Sequence, residues 1–150
     1  MSVTRILLPD RQSSEASELA PGLSMQWKQE GRVLTFTLNT TFRPTIDIWR
    51  RACGRIVTDW NPAEPLLVFL DFSGMKATML PHMRSRIGEI IDLREDVSGR
   101  LAMVMPEVFF ANAVRLFMTG SLRSSKLERR VFHDMDSAWL WLEESLSNNQ

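Results

Sequence analysis

The sequence predicts an α/β protein in which five strands and four helices follow one another in the order β-β-α-β-α-β-α-β-α. The first observation is a short apolar run, Leu66–Leu70, which lies between Pro65 and a polar turn and is typical of a strand buried on both faces. The second is the alternation of such runs with segments whose apolar residues recur at helical spacing. The third is a pair of alternating segments near the start of the chain, which indicates a hairpin. Strands that alternate with helices form a mostly parallel sheet through right-handed crossovers, and the hairpin adds an antiparallel edge.

The composition limits the classes of function. The chain has 150 residues, of which 44% are hydrophobic and 24% charged, as expected for one globular domain with its own core. Basic and acidic residues number 18 each, so the net charge gives no sign of a nucleic-acid or membrane partner. No apolar stretch approaches the roughly 20 residues of a membrane span. We therefore expect a cytoplasmic protein without a transmembrane segment, in which the single cysteine, Cys53, is buried and unreactive.

The beginning of the chain is predicted to be a flexible arm. Residues 1–22 are polar and mixed in character and end in a Pro21-Gly22 turn. A single domain follows over residues 23–147, and residues 148–150 are expected to fray. The domain opens with the hairpin, which occupies Ser24–Asn39 and turns near Gly31.

The four helices are predicted from apolar positions three and four residues apart. The first runs from about Pro44 to Trp60, and the second from about Leu80 to Glu95. The third runs from Pro106 to Gly120, and Asp134 is expected to cap the fourth. The strands between and after these helices are Leu66–Leu70, Leu101–Met105 and Arg129–His133.

The stretch Pro65–Met83 is the predicted site, because ligands and partners of open α/β sheets bind beyond the carboxyl ends of the strands. The candidate residues for binding a partner or ligand are Asp71, Ser73, Gly74, Met75, Lys76, Thr78, Met79 and His82. For Asp71 and Ser73 the alternative is a turn in which the carboxylate accepts hydrogen bonds from the loop. Gly74 is expected to supply a positive φ.

The helix that follows this loop suggests two kinds of binding. Lys76, Thr78 and His82 flank a helix start, whose free amides favour anions, although a solvent-facing His82 without a role is the alternative. Two methionines of the loop and two phenylalanines of the third helix form a candidate apolar groove: Met75, Met79, Phe109 and Phe110.

Other features give weaker signals. The sequence offers no metal-ligand set, cofactor motif or nucleophile–base pair, so we expect no cofactor and no enzymatic activity. A basic cluster consists of Arg115, Arg123, Lys126, Arg129 and Arg130. We interpret it as a solvated rim, and the alternative is a site that binds an anionic surface.

Trp141 is out of phase with the buried face of the last helix. An exposed Trp141, or the outer edge of the hairpin, is a candidate contact for a homodimer.

Three strings, in this order, resemble the STAS superfamily of bacterial anti-sigma-factor antagonists and its SpoIIAA-like relatives. VFLDFSGMKAT is similar to the family's strand that ends in Asp-Leu-Ser-Gly, and GRLAMVMPEVFFANAVRLFMTG is similar to its next strand and helix. RRVFHDMDSAWLWLEE is similar to its last strand and helix. The resemblance covers about Leu23 to Leu146 and implies a STAS-like fold.

The chain departs from the family where phosphorylation-switched members carry a serine at the start of the helix. The matching positions here are Met79, Leu80, Pro81 and His82, none of which carries a hydroxyl. Thr78 lies beside them as an alternative acceptor. The resemblance therefore implies a divergent member, nearer to the SpoIIAA-like branch, without the usual phospho-switch.

The sequence and the resemblance suggest two functions. The first is a non-enzymatic module in bacterial signalling, which binds a regulatory protein partner through the loop and helix start at Gly74–Arg86. The second is a binder of a small apolar ligand or lipid, as the relation of SpoIIAA-like proteins to lipid-handling domains implies.

Overall fold

A computed structural model describes residues 8–76, 81–111, 114 and 126–148 of the chain. Its strands are β1 (Ser17–Ala20), β2 (Leu23–Lys28), β3 (Val33–Leu38), β4 (Leu66–Asp71), β5 (Gly99–Val104) and β6 (Leu127–Phe132). Its helices are α1 (Arg43–Thr58), α2 (Pro81–Ile91), α3 (helical residues at 107–111 and 114) and α4 (Met135–Asn148). The predicted α/β class and the four helices are confirmed.

The six strands form one mixed sheet in the order β1-β2-β3-β4-β5-β6. The β1–β2 and β2–β3 pairs are antiparallel, and the pairs from β3 to β6 are parallel. Because the parallel strands follow one another in a single direction, right-handed crossovers place α1, α2 and α3 on the same face. The larger core lies between these helices and the sheet, and α4 packs a smaller core against the opposite face.

The predicted count of five strands is wrong, because residues 17–20 of the predicted arm form β1. Pro21-Gly22 is a hairpin turn between β1 and β2, in which Gly22 has a φ of 84°. The register shifts between Glu18 and Ala20, so the new edge strand is both short and irregular. It covers the outer edge of the β2–β3 hairpin, which the sequence had offered as a dimer contact.

Arg11 ties the segment before β1 to the amino end of the sheet. Its guanidinium lies over Trp27 and Trp60, whose rings are stacked with centroids 6.2 Å apart. Its Nε donates to the carbonyl oxygen of Gly31 at 2.7 Å, and its other nitrogens pair with Glu64. Part of the predicted arm is therefore fastened to the domain.

We expect Arg11→Ala to lower the free energy of unfolding by roughly 1–2 kcal/mol, since it removes a charge-assisted hydrogen bond and two cation–π contacts. Urea denaturation checks this, with Arg32→Ala as the matched control. Arg32 is exposed beside the same turn, and its loss should change stability by no more than about 0.5 kcal/mol. Equal effects of the two substitutions would show that Arg11 does not hold the segment.

Among the residues that the structure describes, no helix combines the length and the apolar character that crossing a membrane requires.

Candidate functional site

The predicted site lies at the carboxyl edge of the parallel strands. We use the term carboxyl edge for the described residues that follow these strands or begin the next helix, namely 39–43, 71–76, 81–82, 105–108 and 132–135. The edge brings together segments that are far apart in the sequence, because β3, β4, β5 and β6 all end there.

Asp71 closes the turn that follows β4. Its Oδ1 accepts hydrogen bonds from the backbone N–H of Ser73 at 3.0 Å and from the Ser73 hydroxyl at 2.5 Å. The next residue, Phe72, is buried and its N–H donates to the carbonyl oxygen of Val104 at 2.9 Å. The structural alternative for Asp71 and Ser73 is therefore confirmed: the carboxylate holds its own loop against the sheet.

The prediction that Gly74 has a positive φ is wrong. Gly74 is not among the glycines with positive φ, which are Gly22, Gly31 and Gly99 in the described part of the chain. A Cβ on residue 74 would lie 2.4 Å from Oδ1 of Asn39, the movable end of a side chain that follows β3. Glycine thus allows the β4 loop to approach the end of β3 closely.

The loop residues after Gly74 separate into two environments. Met75 is buried in the larger core, and its N–H donates to the carbonyl oxygen of Phe72 at 3.1 Å. The prediction that Met75 lines an open groove is therefore wrong. Lys76 is exposed. Thr78 and Met79 lie outside the described residues.

His82 is not solvent-facing. Only 17% of its side chain is exposed, and its Nε2 lies 2.8 Å from Oδ1 of Asp47 on α1. Arg86 donates from Nε to the same oxygen at 3.1 Å. The start of α2 is thus joined to the first turns of α1 by side-chain contacts.

A second pair of contacts extends this network along the two helices. Arg86 donates to both carboxylate oxygens of Glu89, at 2.7 and 2.8 Å, and Arg50 of α1 donates to Oε2 at 3.2 Å. The hydrogen bond from Arg86 lowers the pKa of Glu89, and burial opposes this shift. The sequence interpretation missed these pairs, although His82, Arg86 and Glu89 follow a spacing of four and three residues that places them on one face of α2.

Large apolar side chains are exposed at the carboxyl edge. Of the four that are exposed in the described part of the chain, Phe42, Val108 and Met135 belong to this edge, and Leu140 lies on α4. Phe42 follows β3, Val108 follows β5 and Met135 follows β6. The ends of β3 and β6 are separated by roughly three strand spacings of about 4.8 Å, and α1 and α4, which start beside Phe42 and at Met135, pack on opposite faces of the sheet.

The residues proposed for an apolar groove do not form one with Met75. Phe109 and Phe110 are half-buried and pack against the larger core, and Phe110 meets His133 edge-on at 5.3 Å. The same core holds an apolar cavity of about 30 Å³, which is room for only one or two waters. Cys53 lines it, and burial raises the pKa of that thiol, so the predicted buried cysteine is confirmed.

The last helix places its tryptophans differently from the prediction. Trp141 is only 8% exposed and lies in the smaller core beside Phe132, so it is not an exposed dimer contact. The guanidinium groups of Arg100 and Arg130 lie over its ring. Asp134 caps α4 as predicted, because its Oδ1 accepts the N–H of Ser137 at 2.8 Å, which lowers the pKa of Asp134.

The predicted basic cluster is only partly described, since Arg115 and Arg123 lie outside the described residues. Within the described ranges, no group of three or more His, Cys, Asp or Glu side chains is arranged to hold a metal ion.

Comparison with known proteins gives no relative: no protein-family model, no curated protein and no solved structure matches this chain.

Proposed function

We propose that this protein is a non-enzymatic regulatory module of the STAS type in bacterial signalling, which binds a protein partner through its carboxyl edge. The observation that carries the proposal is the exposure of Phe42, Val108 and Met135 along this one edge. Exposed apolar side chains that share one edge of a sheet are candidates for contact with a protein partner. The edge includes Lys76 and His82 of the sequence-based site.

Phe42 is the strongest anchor because it occupies a position where it does not help the fold. It is the N-cap residue of α1, yet it makes no side-chain cap hydrogen bond, and 63% of its surface is exposed. Ser, Thr, Asp and Asn stabilise helices at this position, whereas large apolar residues do not. Its backbone is nevertheless well fixed, since its N–H donates to Oγ1 of Thr40 at 3.1 Å and its carbonyl accepts the N–H of Ile46 at 3.1 Å.

The charges around Phe42 indicate the chemistry of the partner. Arg43, Lys76 and Arg84 are exposed near the starts of α1 and α2. The first turn of α1 contains no acidic residue, so Arg43 faces the positive end of that helix without compensation. Asp47 and Asp71 are already occupied by His82 and Ser73. A partner that offers an apolar pocket with an acidic rim would complement the part of the edge around Phe42, whereas Glu107 and Asp134 place negative charge at its other part.

The proposed module binds without a serine switch. At the start of α2, Pro81 and His82 occupy positions at which switched STAS proteins carry the acceptor, and His82 is held by Asp47. Regulation of the partner would then follow from the amount of this protein and the affinity of its carboxyl edge.

Replacement of Phe42 by serine should weaken partner binding at least tenfold, because a buried aromatic anchor is worth more than about 1.4 kcal/mol at an interface. The same change supplies an N-cap, so the folded state should be equally or more stable. Partners are captured from a lysate of the native cell with the wild type, and the interaction is then measured with the purified partner by calorimetry.

Leu140→Ser is the matched control, since Leu140 is 68% exposed on α4, away from the carboxyl edge. It should leave binding unchanged. A partner that binds Phe42→Ser as tightly as the wild type, or that is lost equally with Leu140→Ser, would refute the proposal.

The apolar-ligand function stays a prediction. Met79 lies outside the described residues, Met75 belongs to the core, and the cavity beside Cys53 is too small for a lipid chain unless α1 and α2 separate from the sheet.

A further inference from the structure

The far half of α1 forms the wall of an open cleft. Its volume is about 330 Å³, which is at the lower limit of small-ligand sites. The lining side chains come from α1, from the residue after it and from the segment after α2: Arg50, Arg51, Gly54, Arg55, Thr58, Asp59 and Leu93. Arg55 lies about 18 Å along the helix axis from Arg43, so the cleft is distinct from the carboxyl edge.

The arginines of this cleft are arranged at a cost to the helix. Arg51 and Arg55 are four residues apart on one face of α1, where like charges repel and weaken the helix. The whole helix carries four arginines and a single acidic residue, Asp47, which His82 and Arg86 of α2 contact. The helix dipole favours Arg55, which lies in the last turn of α1, whereas local stability does not explain the choice of Arg51.

Gly54 shapes the floor of the cleft. Glycine in the interior of a helix is less stable than alanine by about 1 kcal/mol. A Cβ on residue 54 would lie 2.4 Å from Nη1 of Arg50, so glycine leaves room for that guanidinium to lie against the helix backbone. Glu89 fixes the same side chain through its Nε at 3.2 Å. The cleft is thus lined by the oriented guanidinium of Arg50 and by Arg51 and Arg55.

From these features we infer that the cleft binds a small phosphate ester that also carries hydroxyl groups. Guanidinium groups recognise phosphate through paired N–H donors, which suits Arg51 and Arg55. Thr58 and Asp59 supply oxygen acceptors for hydroxyl groups, and Leu93 supplies an apolar wall. Arg55 also has a contact of its own within the chain, which the ligand would share or replace.

The full chain is titrated with each probe, and binding is monitored by NMR through the amide signals of Gly54, Arg55 and Thr58. Ribose 5-phosphate, inorganic phosphate and ribose are the three probes. We expect saturable chemical-shift changes with ribose 5-phosphate, saturable changes with inorganic phosphate at lower affinity, and no change with ribose. The double variant Arg51→Gln/Arg55→Gln should weaken phosphate-ester binding at least tenfold, since it removes charged donors worth about a factor of ten each.

Two controls keep the result interpretable. The double variant removes a like-charge pair but also a contact of Arg55, so its unfolding in urea is measured alongside to separate lost binding from lost stability. Arg32→Gln removes an exposed arginine outside the cleft and should bind as the wild type does. Sedimentation with phosphatidylglycerol vesicles that depends on Arg51 and Arg55 would assign the phosphate ester to a lipid headgroup. Shifts that do not saturate, or that persist in the double variant, together with no such sedimentation, would overturn the inference without affecting the carboxyl edge.

Discussion

Gly99→Ala should lower the free energy of unfolding by about 4 kcal/mol or more, which places it among the most damaging single substitutions in the chain. Gly99 has a φ of 147°, a conformation that residues with a side chain rarely adopt. A Cβ there would lie 1.9 Å from the carbonyl oxygen of Leu66 and 2.7 Å from its backbone nitrogen. These are main-chain atoms at the start of β4, so no rotamer change relieves the clash, and the β4–β5 pairing must move.

The chain offers a matched control in Gly88→Ala. Gly88 lies inside α2, and a Cβ on it would meet no atom within 4 Å. Alanine should therefore raise the free energy of unfolding by about 0.5–1 kcal/mol through helix propensity alone. Urea denaturation measures whether Gly99→Ala lowers the free energy of unfolding and whether Gly88→Ala raises it. A loss below about 1 kcal/mol for Gly99→Ala, or a destabilising Gly88→Ala, would contradict the structural explanation.

The fold could be predicted from the sequence where the residues that indicate a strand or helix lie within that element itself. The buried run at β4 and the helical spacing of α1 each carry their signal within a few residues, and both elements are confirmed. The parallel arrangement follows from their alternation. In contrast, the second helix ends at Ile91, earlier than predicted, because the charged residues after it, Asp92 and Glu95, do not mark where a helix ends.

β1 was missed because nothing within Ser17–Ala20 distinguishes it from a polar arm. The strand has four residues and an irregular register, and its stability comes from pairing with β2 and from the burial of Ala20. Such tertiary support overrides weak local propensity. The Pro21-Gly22 pair was the available signal, since Pro followed by Gly is typical of a tight turn between strands.

The candidate site also contains local contacts, which the sequence predicts, and long-range contacts, which it does not. The Asp71–Ser73 turn was predictable because its partners are two residues apart. The pairing of His82 with Asp47 spans 35 residues and depends on how α1 and α2 meet, so the sequence alone did not reveal it. Trp141 was mistaken for an exposed residue because its environment includes β6 and Arg100, which lie outside the periodicity of α4.

Replacement of Trp49 by alanine should lower the free energy of unfolding by about 3–5 kcal/mol, as expected when a large aromatic residue is removed from a core. Trp49 is 1% exposed on the inner face of α1. It meets Phe36 and Phe72 edge-on, with centroids 6.5 and 5.7 Å away, and it lines the cavity beside Cys53. The alanine variant would join the vacated space to that cavity, and indole should then bind there and restore part of the lost stability.

Trp49→Phe separates the effect of the ring from that of the indole N–H. The Nε1 of Trp49 is buried and finds no hydrogen-bond partner in the described part of the chain, so phenylalanine removes a polar group whose burial is uncompensated. This variant should lose only about 1–2 kcal/mol, because part of the ring volume remains. Urea denaturation with and without indole distinguishes the two variants. If both lost the same free energy, or if indole failed to stabilise the alanine variant, the packing of Trp49 would not be what holds α1 to the sheet.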